Sequence, residues 1–253
     1  MKHPRDRFLT VYGRKPVYEL LQTPNVQVDK LLLATNAKGE LIQEILDLCK
    51  KLNITPLRST PEQVARISKN PKQDQGIAVD VVVEHMDDWA NFVKENENNH
   101  TPLGIVALDG VTTPANVGMI IRTCTAMGVS GILLPRKGSS DINSLVIKAS
   151  AGVVFRSRLL KCETLGESLR LAKRAGYKIY ALDASSRSEN IYEMDEFHEK
   201  AIFVMGNETN GISAAVAPLV DTWLEIPMYN DVESLNVACA ATVVCSEWQR
   251  RNC

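Results

Sequence analysis

The chain has 253 residues, a hydrophobic share of 45%, a charged share of 23% and a formal net charge of −1. This balance describes an ordinary globular protein of one large or two smaller domains and excludes a disordered tail protein. With so little net charge, any contact with nucleic acid must rest on basic groups gathered on one face.

The opening text, MKHPRDRFLT, holds no apolar stretch of signal-peptide length. No run of about 18 apolar residues occurs anywhere, so a cytoplasmic protein without a membrane partner is expected. Short apolar runs then alternate with helical text. PVYELLQT predicts a helix, VDKLLLAT a strand, GELIQEILDLCKKLN a helix, and ITPLRS and IAVDVVV two further strands. Together they predict a compact α/β module over residues 1–85. The polar stretch EHMDDWANFVKENENNHTP follows, and 86–103 reads as a linker flanking a short helix.

Residues 104–253 predict a second α/β domain. GIVALDG, GILLP, VVFRSRLL, YKIYALDA, KAIFVMG and WLEIPM read as strands. VGMIIRTCTAMG, SLVIKASAG, ETLGESLRLAKRAG, SAAVAPLVD and SLNVACAATVVCSEWQRR read as helices between and after them. Strands alternating with helices imply a parallel sheet covered on both faces, with ligands outside the carboxyl ends of its strands.

The six cysteines, Cys49, Cys124, Cys162, Cys239, Cys245 and Cys253, form no C-x-x-C pair and lie away from the four histidines. Reduced thiols and no metal site are therefore expected. Cys124, Cys239 and Cys245 fall in apolar helical text and read as core residues.

Three polar loops sit where ligands gather. In LDGVTTPANVGMIIRT, Asn116 reads either as a cap preceding a helix or as a site residue, and Arg122 follows nearly two turns in. Arg122 stands in apolar text, where the planar guanidinium needs an anionic partner such as RNA phosphate. In FVMGNETNG, Gly206 would let a ligand approach the backbone, although Asn210-Gly211 is also a generic turn. In IPMYNDVESLNVACAA, Ser234 reads as a cap with Asn236 in the first turn, or both belong to a site. Neither a G-x-G-x-x-G fingerprint nor a P-loop nor a G-x-S-x-G elbow occurs.

In order and spacing, the three loops resemble the signature motifs of the SpoU (TrmH-like) family of SPOUT RNA methyltransferases. N-x-G-x-x-x-R-T lies at Asn116–Thr123, M-G-N-E at Met205–Glu208 and I-P-M…S-L-N-V at Ile226–Val237. The first module resembles the small L30e-like substrate-binding domain preceding many such catalytic domains, through Y-G-R-K-P-V-Y-E-L-L at Tyr12–Leu21, V-D-K-L-L-L at Val28–Leu33 and Q-G-I-A at Gln75–Ala78.

The resemblance implies an α/β fold with a deep trefoil knot at its carboxyl end, a homodimer whose active site is completed across the interface, and S-adenosylmethionine as methyl donor to a ribose 2′-hydroxyl. By position, Asn116, Arg122, Glu208, Ser234 and Asn236 match the family's polar active-site residues, and Gly206, Ile226, Met228 and Leu235 its cofactor contacts. Ribosomal RNA is the implied substrate. Transfer RNA, a base-directed reaction or a noncatalytic RNA-binding protein on the same scaffold are the alternatives. Retention of Arg122, Glu208 and Asn236 speaks for an enzyme. Phosphate contacts are expected from Arg5, Arg7, Arg14 and Lys15, with Arg136 and Lys137 as weaker candidates beside the reading of all six as solvated charges.

Overall fold

A computed structural model describes residues 8–23, 26–82, 86–139, 142–183 and 187–252. The chain divides into two compact units, 1–84 with 142–156 and 85–141 with 157–253.

The first unit is built from β1 (Phe8–Tyr12), α1 (Arg14–Leu21), β2 (Val28–Ala34), α2 (Glu40–Lys51), β3 (Leu57–Ser59), α3 (Pro61–Ser68) and β4 (Ile77–Val82). Its sheet runs β1-β4-β2-β3, with β4 antiparallel to both neighbours and β3 parallel to β2. Helix α2 buries Ile42, Ile45 and Cys49, which the helical period places on one stripe. Strand β1 and helix α3 were not expected from the sequence. The start of α3 is fixed by a capping box: Gln63 N–H donates to the Thr60 hydroxyl, and Thr60 N–H donates to the Gln63 side chain at 2.8 Å.

The second unit begins with β5 (Met86–Asp88), α4 (Trp89–Glu95), β6 (Leu103–Leu108), α5 (Pro114–Ala126) and β7 (Gly131–Pro135). The chain passes through α6 (Ser144–Ala149) and a 3-10 turn at Val153–Arg156, both of which belong to the first unit. It continues as β8 (Leu159–Cys162), α7 (Leu165–Arg174), β9 (Lys178–Leu182), β10 (Glu189–Asn190), β11 (Lys200–Met205), β12 (Thr222–Glu225) and α8 (Val237–Asn252). The sheet order is β10-β12-β9-β11-β6-β7-β8-β5, and each neighbouring pair is parallel.

Period-two alternation gives this sheet two cores. Ile105, Ala107, Ile202 and Val204 pack with Trp89, Phe92, Leu169 and Tyr177. Phe203 faces the other way and meets the Trp248 ring of α8, centroids 5.7 Å apart. Gly104 makes room for that indole, since a Cβ there would lie 2.4 Å from Trp248 Nε1. The last helix is thereby pinned to the centre of the sheet, which fixes where its first turn lies.

Three sequence expectations change. Residues 86–103 are no mere linker: β5 pairs with β8, and Trp89 and Phe92 are buried in the core. VVFR is a 3-10 turn rather than a strand, because Ala151 and Gly152 turn the chain with φ of 50° and 77° just before it. SAAVAPLVD supplies only a 3-10 turn at Ala217–Leu219, where Pro218 interrupts the expected α-helix. No described helix is long and apolar enough to cross a membrane.

Candidate active site

Because the large sheet is parallel, the loops after β6, β9, β11 and β12 leave one edge of four adjacent strands. Strand β6 has β7 on one side and β11 on the other, so its carboxyl end is a topological switch point.

The first two loops are locked together by polar contacts. Asp109, 8% exposed, accepts from Ser213 N–H at 2.7 Å, and its own N–H donates to Met205 O at 2.9 Å. Asn207 donates through Nδ2 to Gly110 O at 2.8 Å, and its Oδ1 accepts from Thr209 and Asn210 N–H at 2.9 and 3.0 Å. Its backbone pairs both ways with Gly211. This closes the turn onto Gly206, where an added Cβ would lie 2.7 Å from Gly211 C and 2.8 Å from its oxygen. Those are backbone atoms that cannot swing aside, so the position requires glycine.

Asn116 joins all three loops. It lies in the first turn of α5, with Thr113 at the cap position, and is 7% exposed. It is therefore not the cap that its place before the apolar text suggests. Its Nδ2 donates to Glu208 Oε1, and its Oδ1 accepts from Asn236 Nδ2 at 3.1 Å. Asn236 Oδ1 in turn accepts from Ala238 N–H at 2.9 Å. Asn236, not Ser234, is thus the residue that caps α8, which begins at Val237.

A cavity of about 470 Å³ opens at this junction, within the range that holds a small-molecule cofactor. Gly206, Ile226, Met228 and Leu235, the four expected cofactor contacts, all line it, as do Glu208, Ser234 and Asn236. Asn116 is behind the wall and acts on the cavity through Glu208 and Asn236. Sequence reasoning missed Leu182, Asp183, Leu224 and Glu233, which also line the cavity. The signal for Asp183 was available: YALD places a carboxylate just past the carboxyl end of a buried strand.

Arg122 is not brought to this cavity. It is exposed on α5, with no hydrogen bond or ion pair to it among the described residues. The expectation of an embedded guanidinium is corrected by the helix period: Ile120 and Ile121 turn inward, while Met119, Arg122 and Ala126 share the outer stripe. Cys239 is likewise exposed on α8 rather than in the core, whereas Cys124 and Cys245 are buried with their sulfurs 3.7 Å apart. The bulk around them and their mutual hydrogen bond hold the Cys124 thiol well above the ordinary value, the hydrogen bond to Cys245 being the larger cause.

Among the expected RNA contacts, Arg5 and Arg7 lie outside the described residues. Arg14 is engaged inside the first unit, donating to Lys38 O at 3.0 Å and Gln75 O at 3.3 Å, while Lys15 is exposed. Arg136 pairs with Glu163 at 3.0 Å, and Lys137 is exposed.

The sequence model of the SpoU rRNA Methylase family matches residues 103–246, and that of the RNA 2′-O ribose methyltransferase substrate-binding domain matches residues 10–82. A Staphylococcus aureus (strain COL) protein named for the TrmH family of tRNA/rRNA methyltransferases is 28% identical over 241 residues, 95% of each chain. An uncharacterised tRNA/rRNA methyltransferase of Mycolicibacterium gilvum is 31% identical over 245 residues, 95% of this chain and 76% of that one. Among solved structures, an RNA methyltransferase of the TrmH family from Porphyromonas gingivalis superposes with a TM-score of 0.64 at 25% identity, covering 97% of this chain and 91% of that one. The three converging loops are those of an RNA methyltransferase: the chain belongs to the SpoU rRNA methylase family, with an amino-terminal substrate-binding domain.

Proposed function

We propose that this protein methylates a ribose 2′-hydroxyl of ribosomal RNA, using S-adenosylmethionine held in the cavity beneath Gly206, as a homodimer whose catalytic domain carries the family's trefoil knot. The observation that carries the reading is the linkage of Asn116, Glu208 and Asn236 around the cavity lined by Gly206, Ile226, Met228 and Leu235.

The residues present fit that donor. Leu182, Leu224, Ile226 and Met228 offer apolar walls for a flat heterocycle, and the loop at Gly206 is packed so closely that only glycine leaves backbone groups within reach of it. When bound, the donor supplies an electrophilic methyl group on sulfur; the ribose oxygen gains the carbon as sulfur loses it, and the hydroxyl proton must be carried off. The protein's share is alignment and charge placement. Asn116 holds Glu208 in one rotamer, and Asn236 fixes the third loop against the start of α8. Glu208 and Ser234 are the matched motif residues on the wall that would hydrogen-bond an incoming sugar.

A guanidinium is a poor proton acceptor near neutral pH, so Arg122 is assigned to the target phosphate rather than to the base role. Its outward position on α5, beside Met119 at 40% exposure, is what a residue lent to a partner's cavity requires. Lys15, with Arg5, Arg7 and Arg14, is proposed to meet RNA phosphate from the substrate-binding domain. The 2′-hydroxyl itself distinguishes RNA from DNA.

We take ribosomal rather than transfer RNA as the substrate because the two-domain layout, with a substrate-binding domain matched over residues 10–82, resembles that of large-subunit ribosomal RNA enzymes. The test is to map ribose methylation across total RNA from cells with and without the gene. Loss of one 2′-O-methyl mark in large ribosomal RNA is expected; loss in a transfer RNA overturns the choice of substrate, and loss of a base methyl mark overturns the ribose assignment.

A further inference from the structure

The wall of the cavity holds three carboxylates, Asp183, Glu208 and Glu233, and no Lys, Arg or His among the described residues that line it. Glu208 is taken up by Asn116. Asp183 and Glu233 have no place in the motif chemistry described above, yet they come to the same cavity from two separate segments, one at the carboxyl end of β9 and one in the loop before α8. Asp183 is held there by its own backbone, whose N–H donates to Leu224 O at 3.0 Å. Among the described residues Arg187 pairs with it at 3.3 Å, with its guanidinium carbon also 3.7 Å from the centre of the Trp223 ring, and Arg187 is not part of the cavity wall. The described lining of the cavity thus offers carboxylates and no cation of its own, with Arg187 balancing Asp183 from outside the wall.

A wall of that sign discriminates by ligand charge. The methyl donor carries a sulfonium; the product left after transfer is a neutral thioether with the same adenosine and amino-acid parts. We propose that Asp183 and Glu233 are specificity-determining residues that favour the sulfonium donor over its demethylated product, so that loss of the methyl cation's charge loosens the product for release. The inference rests on the assignment of S-adenosylmethionine to this cavity. Attraction between unlike charges in a partly enclosed site is screened less than on open surface, so the effect should be measurable and should shrink as salt is added.

The two ligands differ in one methyl group and one charge, so a merely structural defect lowers the affinity for both. Isothermal titration of the full-length protein with S-adenosylmethionine and with S-adenosylhomocysteine, for wild type, Glu233→Gln, Asp183→Asn and the double variant, separates the cases. The double variant should lose about tenfold in affinity for the donor and less than threefold for the product, while Glu233→Asp keeps most of the wild-type preference. Equal losses for both ligands, or a preference unchanged by the double substitution, overturn the inference. Wild-type protein that binds neither ligand overturns the cofactor assignment and the inference with it.

Discussion

The side-chain amide of Asn236 donates to the side-chain oxygen of Asn116 at 3.1 Å, across 120 residues of sequence. The other end of the Asn116 amide is committed to Glu208, so a single buried side chain sets the spacing of three loops. Asn116→Ala should lower stability by about 2 kcal/mol, because it removes two hydrogen bonds of a buried side chain, one of them to a carboxylate. Single-turnover methyl transfer should fall by at least a hundredfold. Asn116→Asp separates orientation from bulk: the introduced carboxylate faces Glu208 as a like charge and cannot donate. Protonation restores a donor, so the activity of that variant should rise as the pH is lowered from 8 towards 5, opposite to a variant that has simply lost its shape.

The seat of α8 is a second point of control. Gly104→Ala places a methyl group 2.4 Å from the indole nitrogen of Trp248, a ring already held by Phe203. Overpacking of this kind costs about 2 kcal/mol, which at this chain length lowers the melting temperature by roughly 4–8 °C. Pairing Gly104→Ala with Trp248→Leu should cost less than the sum of the two single losses. Strict additivity in thermal unfolding would show that the contact is not what positions the helix.

The fold was legible where period and length agreed, as in α2 and α7, and in the strands β6, β7, β9, β11 and β12 of the large sheet, but not in its edge strands β5 and β10. It was misread where one residue outweighed the pattern. Pro218 reduced an apolar stretch to a 3-10 turn, and the left-handed turn at Ala151 and Gly152 kept the text after it from becoming a strand. Helix α3 was missed although Thr60, Pro61 and Gln63 spell a capping box. Trp89, Phe92 and Val93 at helical spacing marked α4 as a core helix inside what read as a polar linker. The site residues were legible only through the order of three motifs. That Asn116 faces Glu208 and Asn236, and that Arg122 faces away, depends on where α5 begins, and a shift of two residues in that start reverses which side chains point inward.

Cys124 and Cys245 bear on both labelling and alkaline stability. The folded state holds the Cys124 proton more tightly than the unfolded chain, for which the ordinary value is 9.0. Its contribution to stability is therefore complete below pH 9 and is lost as the pH rises beyond it. Tyr177, pushed up to about 12 by burial, acts in the same direction. Stability should fall on raising the pH from 9 to 11, and replacing Cys124 and Cys245 by alanine and valine should flatten that slope. At pH 8, iodoacetamide should modify exposed Cys239 within minutes and leave Cys124 and Cys245 untouched until the protein unfolds, as mass mapping of peptides will show.

Arg122 decides whether one chain is enough. Its guanidinium is outside the cavity that Gly206 closes, so each feature can be removed without touching the other. Arg122→Ala should leave donor binding within about twofold and abolish transfer, whereas Gly206→Ala should abolish both, since its methyl group collides with backbone. If the cavity of one chain uses the arginine of another, co-expressing the two variants with different tags yields a mixed dimer that has one whole site: the cavity from the Arg122→Ala chain and the arginine from the Gly206→Ala chain. Purified by both tags, that species should recover up to half of the wild-type rate. If instead Arg122 serves its own chain, neither site is whole and the mixed dimer stays inactive, an outcome that returns the arginine to its own subunit and removes the shared-site proposal.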